Sequence, residues 1–96
     1  MSVRVERYRF RLYVTGNAHN SLQAISNLSQ LCDLHLAGRH DIEIVDLARE
    51  PGRALSDAVY LTPTLIKLAP EPQAQVVGSL NNMSLLLDVL ELERKT

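Results

Sequence analysis

The sequence predicts a small α/β domain in which strands and helices follow the order β-α-β-α-β-β-α. Three observations support this fold class. An alternating apolar strand near the start is followed by an amphipathic helix and then by a second apolar strand. Two further strand-like segments occupy the second half, with a proline-rich break between them. The last observation is length, because 96 residues suit one domain.

The first strand is predicted over residues 8–14. Its apolar positions alternate, which predicts one buried face made of Tyr8, Phe10, Leu12 and Val14. The opposite face carries Arg9, Arg11 and Tyr13. A turn follows at residues 15–19, where Gly16 and Asn17 both tolerate a positive φ.

The first helix is predicted from a cap at Asn20 or Ser21 to about Ala37, with Gly38 ending it. Its apolar residues recur mostly at three- and four-residue spacing, so we expect the helix to lie on a sheet. They are Leu22, Ala24, Ile25, Leu28, Leu31, Cys32, Leu34 and Leu36.

The second strand is predicted over residues 41–47. Ile42 and Ile44 lie on one face, and Val45 and Leu47 on the other. Apolar residues on both faces predict an interior strand that is covered on two sides. A strand, a helix and a strand in succession predict a right-handed parallel βαβ crossover.

The second half gives weaker signals. A loop or short helix is predicted at residues 53–59, and two strands are predicted at 64–68 and 75–78, with a proline-rich break at 70–72 between them. A final apolar stretch covers residues 83–92. Asn81 or Asn82 caps the final stretch, whose leucines fit both a helical stripe and an alternating strand. With that stretch taken as a helix, the element order is the thioredoxin-like arrangement.

Composition excludes several classes of protein. The formal charge of −1 argues against nucleic-acid binding through bulk positive charge. No apolar run approaches the roughly 20 residues of a membrane span, and the start has no apolar signal region. We therefore expect a cytoplasmic domain with neither nucleic acid nor membrane as a partner. The single cysteine excludes an internal disulfide framework.

The thioredoxin-like order raises the hypothesis of a thiol oxidoreductase. Such an enzyme needs a cysteine of low pKa at the start of the first helix, and residues 16–21 contain none. Cys32 lies about three turns further on, within the apolar stripe. It is expected to be a small, inert core residue, so thiol chemistry is only a remote alternative.

Other candidate chemical groups lack the necessary partners. His19, His35 and His40 show no metal-ligand spacing and are expected to be solvated. Asp46 has no paired acid, nucleophile or phosphate loop nearby, so a capping or structural role is predicted. We therefore predict no catalytic residue, no metal and no cofactor.

Charge is segregated along the chain, and two interpretations stay open. Residues 1–11 carry four arginines against one glutamate, a local charge of +3. Residues 41–50 carry four acidic residues against one arginine, a local charge of −3. Strands one and two neutralise each other in one interpretation. In the other, the segments are complementary patches for a protein partner.

Pro63 is a candidate cis-proline. Thr62-Pro63-Thr64 stands directly before a predicted strand, where thioredoxin-like folds hold a cis-proline. The alternative is an ordinary trans-proline that opens an edge strand.

Five short motifs carry a resemblance over about residues 8–92. They are Leu12-Tyr13-Val14-Thr15-Gly16-Asn17, then Asn20-Ser21, then Val45-Asp46-Leu47, then Thr62-Pro63-Thr64-Leu65 with Lys67, and finally Val77-Gly78 before Leu80. In order and spacing they resemble the KaiB family of small circadian-clock proteins. The Gly-Asn turn and the Thr-Pro-Thr-Leu segment occur together here without redox cysteines.

The resemblance implies a non-catalytic regulator that binds a KaiC-type ATPase ring in a circadian or timing and stress-response system. It implies KaiA or a histidine kinase as further partners, and a dimer or tetramer. KaiB-like proteins have two folds, a tetrameric ground state of order β-α-β-β-α-α-β and a ring-binding thioredoxin-like monomer. Residues 1–49 would be common to both folds, and residues 50–96 would be the fold-switching half. The alternative is a KaiB-like sensor domain locked in the thioredoxin-like fold.

The same resemblance assigns two functional segments. Partner contacts would come from Thr64 to Pro70, with Lys67 at the centre, and Gly78, Ser79 and Leu80 would form the switch-region loop. Many family members have basic residues before this loop and an aspartate after the glycine. Here Gln73, Ala74 and Gln75 precede it, and Ser79 follows Gly78. This departure favours a divergent member from an organism with KaiB and KaiC but no KaiA.

Overall fold

The computed structural model describes residues 6–91, and their elements follow the predicted order. They are β1 (Tyr8–Val14), α1 (His19–His35), β2 (His40–Asp46), α2 (Arg53–Ser56), β3 (Thr64–Ala69), β4 (Ala74–Val77) and α3 (Met83–Val89). This confirms the predicted thioredoxin-like α/β class. No helix in the described part of the chain is long and apolar enough to cross a membrane.

The four strands form one mixed sheet in the order β2-β1-β3-β4. Strand β1 is parallel to β2, which confirms the parallel crossover through α1. Strand β3 runs antiparallel to β1 and β4, so the tight connection between β3 and β4 joins neighbouring strands. The C-terminal end of β1 therefore lies beside the start of β3, at the same edge of the sheet as the end of β4.

The main core lies between the sheet and the two longer helices. The alternating residues Tyr8, Phe10, Leu12 and Val14 are all buried on this face, as predicted. The helices contribute their apolar stripes, Ala24, Leu28, Leu31 and Cys32 from α1 and Leu86 and Leu87 from α3. Since only four residues of the chain are aromatic, aliphatic packing supplies most of this core.

The opposite face of the sheet has a smaller core, which corrects the prediction for β1. Tyr13 was expected on an open face, but it is fully buried with Val45, Val59 and Ile66. Ala54 of α2 packs against this group. Because α2 and the residues after it cover the sheet here, β1 is buried on both faces at Tyr13.

Strand β2 lies at an edge of the sheet, so the prediction of an interior strand was wrong. Strand β3 occupies the other side of β1 and leaves β2 with one strand neighbour. The apolar residues on its two faces still have a structural role. Ile42 packs on the main core and Val45 on the smaller core, whereas Ile44 is exposed.

The ends of α1 also differ from the prediction. The helix begins at His19 with Ala18 as its N-cap, two to three residues before the predicted caps. Ser21 is not a cap because its buried Oγ accepts a hydrogen bond of 3.2 Å from the backbone N–H of Thr15. The helix ends at His35, since Leu36 turns into the core and Gly38 adopts a φ of +75°.

The final stretch forms helix α3 (Met83–Val89), whereas its leucine spacing alone fitted both a helix and a strand. The side chain of Asn82 caps α3 by accepting a hydrogen bond of 3.1 Å from the Leu85 N–H. This confirms one of the two predicted caps. Helix α3 ends at Val89 rather than at Leu92, and Leu92 lies outside the described residues.

Candidate functional site

The loop before β3 meets the end of β1 at one pole of the sheet. The Thr62–Pro63 peptide bond is cis, and Pro63 is buried. The hydroxyls of Thr15 and Thr62 share a hydrogen bond of 2.7 Å. The N–H of Gly78 donates to the Pro63 carbonyl oxygen at 2.9 Å, and Gly78 has a φ of +121° that favours glycine. These contacts bring together three segments that are distant in sequence.

Asp46 stabilises the turn after β1 at this end of the sheet. Its Oδ1 accepts hydrogen bonds of 2.9 Å from the N–H of Gly16 and from that of Ala48. The bond from Gly16 is the main reason that the pKa of Asp46 lies below its usual value. The carboxylate is engaged by the backbone, which matches the predicted structural role.

The thiol of Cys32 is fully buried within the main core. Desolvation raises the pKa of this thiol to about 12, and the nearby Asp33 adds to the shift. A thiolate is the reactive form of cysteine, so this environment suppresses thiol chemistry. The helix start, where a redox cysteine would stand, holds no cysteine.

Three large apolar side chains on α2 and on the loop between α2 and β3 are exposed to solvent. Leu55, Tyr60 and Leu61 are 84%, 88% and 65% exposed. We call these three residues the 55–61 patch. Their exposure was not predicted from the sequence. One feature of the sequence could have indicated this surface. Two bulky apolar residues, Tyr60 and Leu61, stand directly before the Thr-Pro-Thr segment, where no strand or helix periodicity accounts for them.

The segment that carries this patch is held to the sheet by paired charges. Arg11 contacts Glu43 at 2.7 Å and Asp57 at 2.9 Å, while Arg53 reaches Glu43 at 2.9 Å. The Tyr13 hydroxyl donates to Asp57 at 2.5 Å. This network joins β1, β2 and α2, so it fixes the base from which the patch projects.

The same network shifts the pKa values of its members. The hydrogen bond from Tyr13 is the largest reason that the pKa of Asp57 is lowered, and that from Arg11 lowers the pKa of Glu43. Burial raises the pKa of Tyr13. The pKa of Arg11 rises, mainly through its bond to Glu43. The folded protein therefore favours the charged carboxylates.

The basic first segment and the acidic segment at residues 41–50 form ion pairs with each other. Arg7 pairs with Asp41 at 2.6 Å in addition to the Arg11–Glu43 contact. Both pairs join β1 to the neighbouring β2, which supports the interpretation of mutual neutralisation. Arg4, which was counted in the basic segment, lies outside the described residues.

The predicted partner-binding residues are largely covered in this conformation. Thr64 and Lys67 are each 1% exposed, and Pro70 is half-buried. The Thr64 hydroxyl donates to the Leu61 carbonyl oxygen at 2.6 Å. A partner cannot touch Thr64 or Lys67 here without a rearrangement, so their binding role stays a prediction.

The predicted switch-region loop connects β4 to α3. The Ser79 carbonyl oxygen accepts a hydrogen bond of 2.8 Å from the Asn27 side chain, which ties the loop to α1. Leu80 is buried and has a φ of +64°, which is unusual for a residue with a Cβ. The proposed switching role of Gly78, Ser79 and Leu80 stays a prediction.

The histidines have different environments. His19 is exposed, as expected, whereas His35 and His40 are half-buried, so these two side chains are less solvated than expected. The Nδ1 of His40 lies 2.8 Å from the Leu36 carbonyl oxygen. Among residues 6–91, no three His, Cys, Asp or Glu side chains are grouped as a metal site.

Comparisons with known proteins agree with the resemblance in the motifs. The model of the KaiB domain matches residues 11–92. The chain belongs to the KaiB family. It is 36% identical over 88 residues to the circadian clock protein KaiB3 of Synechocystis, with 92% of this chain and 86% of that protein covered. It is 33% identical to the circadian clock oscillator protein KaiB of Microcystis aeruginosa, over 96% of this chain and 88% of that protein.

Solved structures resemble this KaiB-family chain in fold. The N-terminal domain of SasA from Synechococcus elongatus has a TM-score of 0.72 at 14% identity, with 100% of this chain and 95% of that domain covered. Mitochondrial thioredoxin 3 from Saccharomyces cerevisiae has a TM-score of 0.70 at 14% identity, covering 91% of this chain and 80% of that protein. At such identities these likenesses show the thioredoxin-like fold alone.

Proposed function

We propose that this KaiB-family protein is a non-catalytic regulator that binds a KaiC-type ATPase ring and modulates a circadian or timing and stress-response system. The observation that carries the proposal is the exposed 55–61 patch on a thioredoxin-like scaffold. Family membership supplies the class of partner, and the patch supplies a surface for it. We expect this action in the cytoplasm, which stays a prediction from the sequence.

The scaffold supports binding rather than thiol exchange. Its sole cysteine is buried in the core, and its pKa is raised far from that of a reactive thiol. We expect no insulin-reduction activity from the purified protein. Activity that disappears in Cys32→Ser would instead revive the thiol-enzyme alternative.

The 55–61 patch has the character of a docking surface. Leucine and tyrosine side chains in water become favourable contacts when a partner covers them, at about 25 cal/mol per Å² of buried apolar area. Tyrosine is enriched among residues that dominate binding energy. The Arg11 network holds the adjacent Asp57 in place, so the surface is positioned before a partner arrives.

A binding assay with paired variants tests this surface. The purified protein is incubated for hours with the KaiC-type ATPase of the same organism and nucleotide, and the complex is measured by gel filtration. We expect wild-type protein to co-elute with the ring. The double variant Tyr60→Ser, Leu61→Ser should lose at least about tenfold in affinity, because two exposed apolar contacts are removed.

Leu34→Ser is the matched control, since Leu34 is 60% exposed on α1, away from the patch. This variant should bind as tightly as wild type. The proposal for the patch fails if the double variant binds normally, or if Leu34→Ser weakens binding equally. No complex with any variant would count against the ring as the partner.

We also propose that residues 50–96 rearrange in an oligomeric ground state, a dimer or tetramer, so that the whole chain takes the order β-α-β-β-α-α-β. Support comes from family membership and from the weak periodicity of this half. In the thioredoxin-like form Pro70 is half-buried, whereas contact of Thr64 or Lys67 with a ring or KaiA would need a local rearrangement, since both are buried. Solution mass measured across concentration tests the oligomer, and a monomer at all concentrations would contradict it.

A second candidate is a KaiB-like interaction domain that keeps the thioredoxin-like fold and signals with a histidine kinase or another partner. The thioredoxin-like architecture favours this candidate, and the SasA domain shares that fold. It predicts one set of NMR peaks for residues 50–91. Two slowly exchanging sets would reject this candidate and support the two-fold proposal.

A further inference from the structure

Strand β4 forms one edge of the sheet, and in the described part of the chain no further strand pairs with its outer side. The Gly78 N–H donates to the Pro63 carbonyl oxygen, which fixes the hydrogen-bonded positions between β3 and β4. Because such positions alternate along antiparallel strands, Val76 bonds to β3, whereas the N–H and C=O groups of Gln75 and Val77 point outward. These groups can accept and donate hydrogen bonds to an added strand.

The two edge strands of the sheet differ in charge. Strand β2 carries three carboxylates, those of Asp41, Glu43 and Asp46, and charged side chains discourage a further strand at a free edge. Strand β4 has the sequence Ala-Gln-Val-Val, which contains no charged residue, and Val77 is 54% exposed. Its four residues are few for an edge, so pairing is stable only where an added strand gains further contacts beside it.

A cleft beside β4 supplies such contacts on the face of the sheet that α3 covers. Its volume is about 260 Å³. It is lined by Val76 of β4, by Leu80 of the following loop, and by Leu85 and Leu86 of α3. Leu85 is half exposed, so its apolar surface is open to a ligand. The cleft is smaller than the roughly 300–1,000 Å³ of a typical small-molecule pocket, and it suits the apolar side chains of a peptide.

A second cleft, of about 380 Å³, flanks the same strand on the opposite face. It is lined by Gln75 of β4, by Ile66 of β3 and by Ser56 and Asp57 at the end of α2. Successive side chains of a strand point to opposite faces of a sheet, so an added strand would direct its side chains to the two clefts in turn. The outward groups of β4 and the two clefts therefore fit one extended occupant.

The charge around this edge selects among possible occupants. Residues 68–91 contain three carboxylates, those of Glu71, Asp88 and Glu91, against no lysine or arginine, a local charge of −3. Two copies of the chain joined at β4 would bring these like charges together, which opposes association. A strand with lysine or arginine at its ends meets opposite charge instead. The edge therefore favours a cationic partner over a second copy.

We propose that the outer edge of β4 is a docking site for an extended peptide segment of a partner protein, with apolar residues at alternate positions and lysine or arginine at its ends. The segment adds to the sheet as a further strand through hydrogen bonds with Gln75 and Val77, and it places an apolar side chain against Leu85. The site contains none of the three residues of the 55–61 patch. Its test uses no ring, so its outcome is independent of the proposed function.

An NMR titration of the purified, isotope-labelled protein tests the site with a defined probe, the acetylated and amidated peptide Lys-Thr-Val-Thr-Val-Thr-Lys. We expect saturable shifts of the signals of Gln75, Val77 and Leu85, with the signals of β2 unchanged. Shifts confined to β2 or to the 55–61 patch, or no saturable shift at millimolar peptide, would overturn the proposal. Shifts of β4 signals that grow with protein concentration in the absence of peptide would assign the edge to a second copy, and would also overturn it.

Two altered peptides separate the contributions of charge and backbone. With glutamate in place of both lysines, the peptide should bind at least about fivefold more weakly at low salt, and added salt should reduce this difference. With N-methyl groups on two adjacent central residues, it should bind at least about tenfold more weakly, because hydrogen bonds to β4 are lost. Equal affinity of the glutamate peptide would contradict the cationic partner, and equal affinity of the methylated peptide would contradict strand addition.

Substitutions in the protein test the cleft between β4 and α3. Leu85→Lys places a like charge at its wall and should weaken binding of the lysine peptide at least about fivefold. Leu85→Ala is a milder second variant, with an expected loss of at least about twofold. Leu34→Lys is the matched control, because Leu34 is exposed on α1 and lines neither cleft, and it should bind as wild type does. Circular dichroism checks that each variant is folded. Unchanged affinity in both Leu85 variants, or an equal loss in Leu34→Lys, would overturn the proposal.

Discussion

The two halves of the described chain are built differently. Residues 6–46 form two seven-residue strands around a 17-residue helix, and most of their apolar positions are buried, with Leu22, Leu34 and Ile44 as exposed exceptions. Residues 53–91 form shorter elements, and all three non-glycine residues of positive φ among the described residues lie there. They also contain the 55–61 patch and the buried Lys67. In our proposal, the first half supplies the scaffold and the second half supplies the partner surface.

This difference has an energetic meaning. Strand β1 pairs on both sides and packs on both faces, so disrupting it disrupts the whole domain. The second half depends more on individual polar contacts, such as Lys67 with Leu90 and Arg11 with Asp57. Local changes should therefore affect the second half without unfolding the first.

Truncation of a core leucine gives the largest expected contrast. Leu28 of α1 is almost fully buried, so Leu28→Ala should lower the free energy of unfolding by about 3 kcal/mol. Leu85 of α3 is half exposed, and Leu85→Ala should cost less than about 1 kcal/mol. Chemical denaturation measures both values. Similar losses for the two variants would contradict the assignment of Leu28 to the core and of Leu85 to the surface.

The charged network between the halves gives a pH-dependent effect. Because the pKa values of Asp57 and Glu43 are lower in the folded protein than in the unfolded chain, the unfolded chain binds more protons as pH falls. Stability from the network is thus present above the ordinary carboxyl pKa of about 4 and is lost as pH falls through the lower folded values.

Replacing Arg11 isolates that effect. Arg11→Met should lower the free energy of unfolding by about 1–2 kcal/mol at pH 7, because two charge-assisted hydrogen bonds disappear. The difference from wild type should shrink as pH approaches 3. Urea denaturation across pH measures it. If the difference in unfolding free energy between wild type and Arg11→Met stayed constant with pH, ionisation of Glu43 and Asp57 would not be the source of the stabilisation.

The cap of α3 gives the smallest expected effect. Asn82→Ala removes the acceptor for the Leu85 N–H and should cost about 1 kcal/mol. Asn81→Ala is the matched control, because Asn82 supplies the cap and Asn81 stands one residue before it. Denaturation and α3 amide exchange together measure both changes. Equal losses in the two variants would argue that general helix propensity, rather than the cap, holds the start of α3.

Much of the fold was predictable from sequence because apolar periodicity reports burial directly. The alternation in residues 8–14 predicted β1, and the spacing in α1 predicted its core stripe. The edge position of β2 was not predictable, since strand order depends on which strand pairs with the far side of β1. The burial of Tyr13 depended on α2 folding over the sheet, which no local pattern encodes.

The candidate surface was harder to predict than the fold. The sequence shows both Pro63, which is cis in the structure, and the absence of a cysteine at the start of α1. Both features lie at the end of the sheet where β1 meets the loop before β3. The family resemblance led us to expect Lys67 as an accessible partner contact. In the structure its position on β3 directs the side chain toward Tyr8 and the end of α3. The 55–61 patch was missed because its residues follow no period, and exposure of irregular segments is decided by tertiary packing.

The most direct test of the account is a hydrogen-exchange footprint of the protein on the KaiC-type ring. Exchange is compared for free and ring-bound protein under matched nucleotide conditions. The account predicts slower exchange at residues 55–61 on binding and no change on the solvent face of α1 around Leu34. A complex that leaves residues 55–61 unchanged, and protects α1 instead, would contradict the central claim that the second half presents the partner surface.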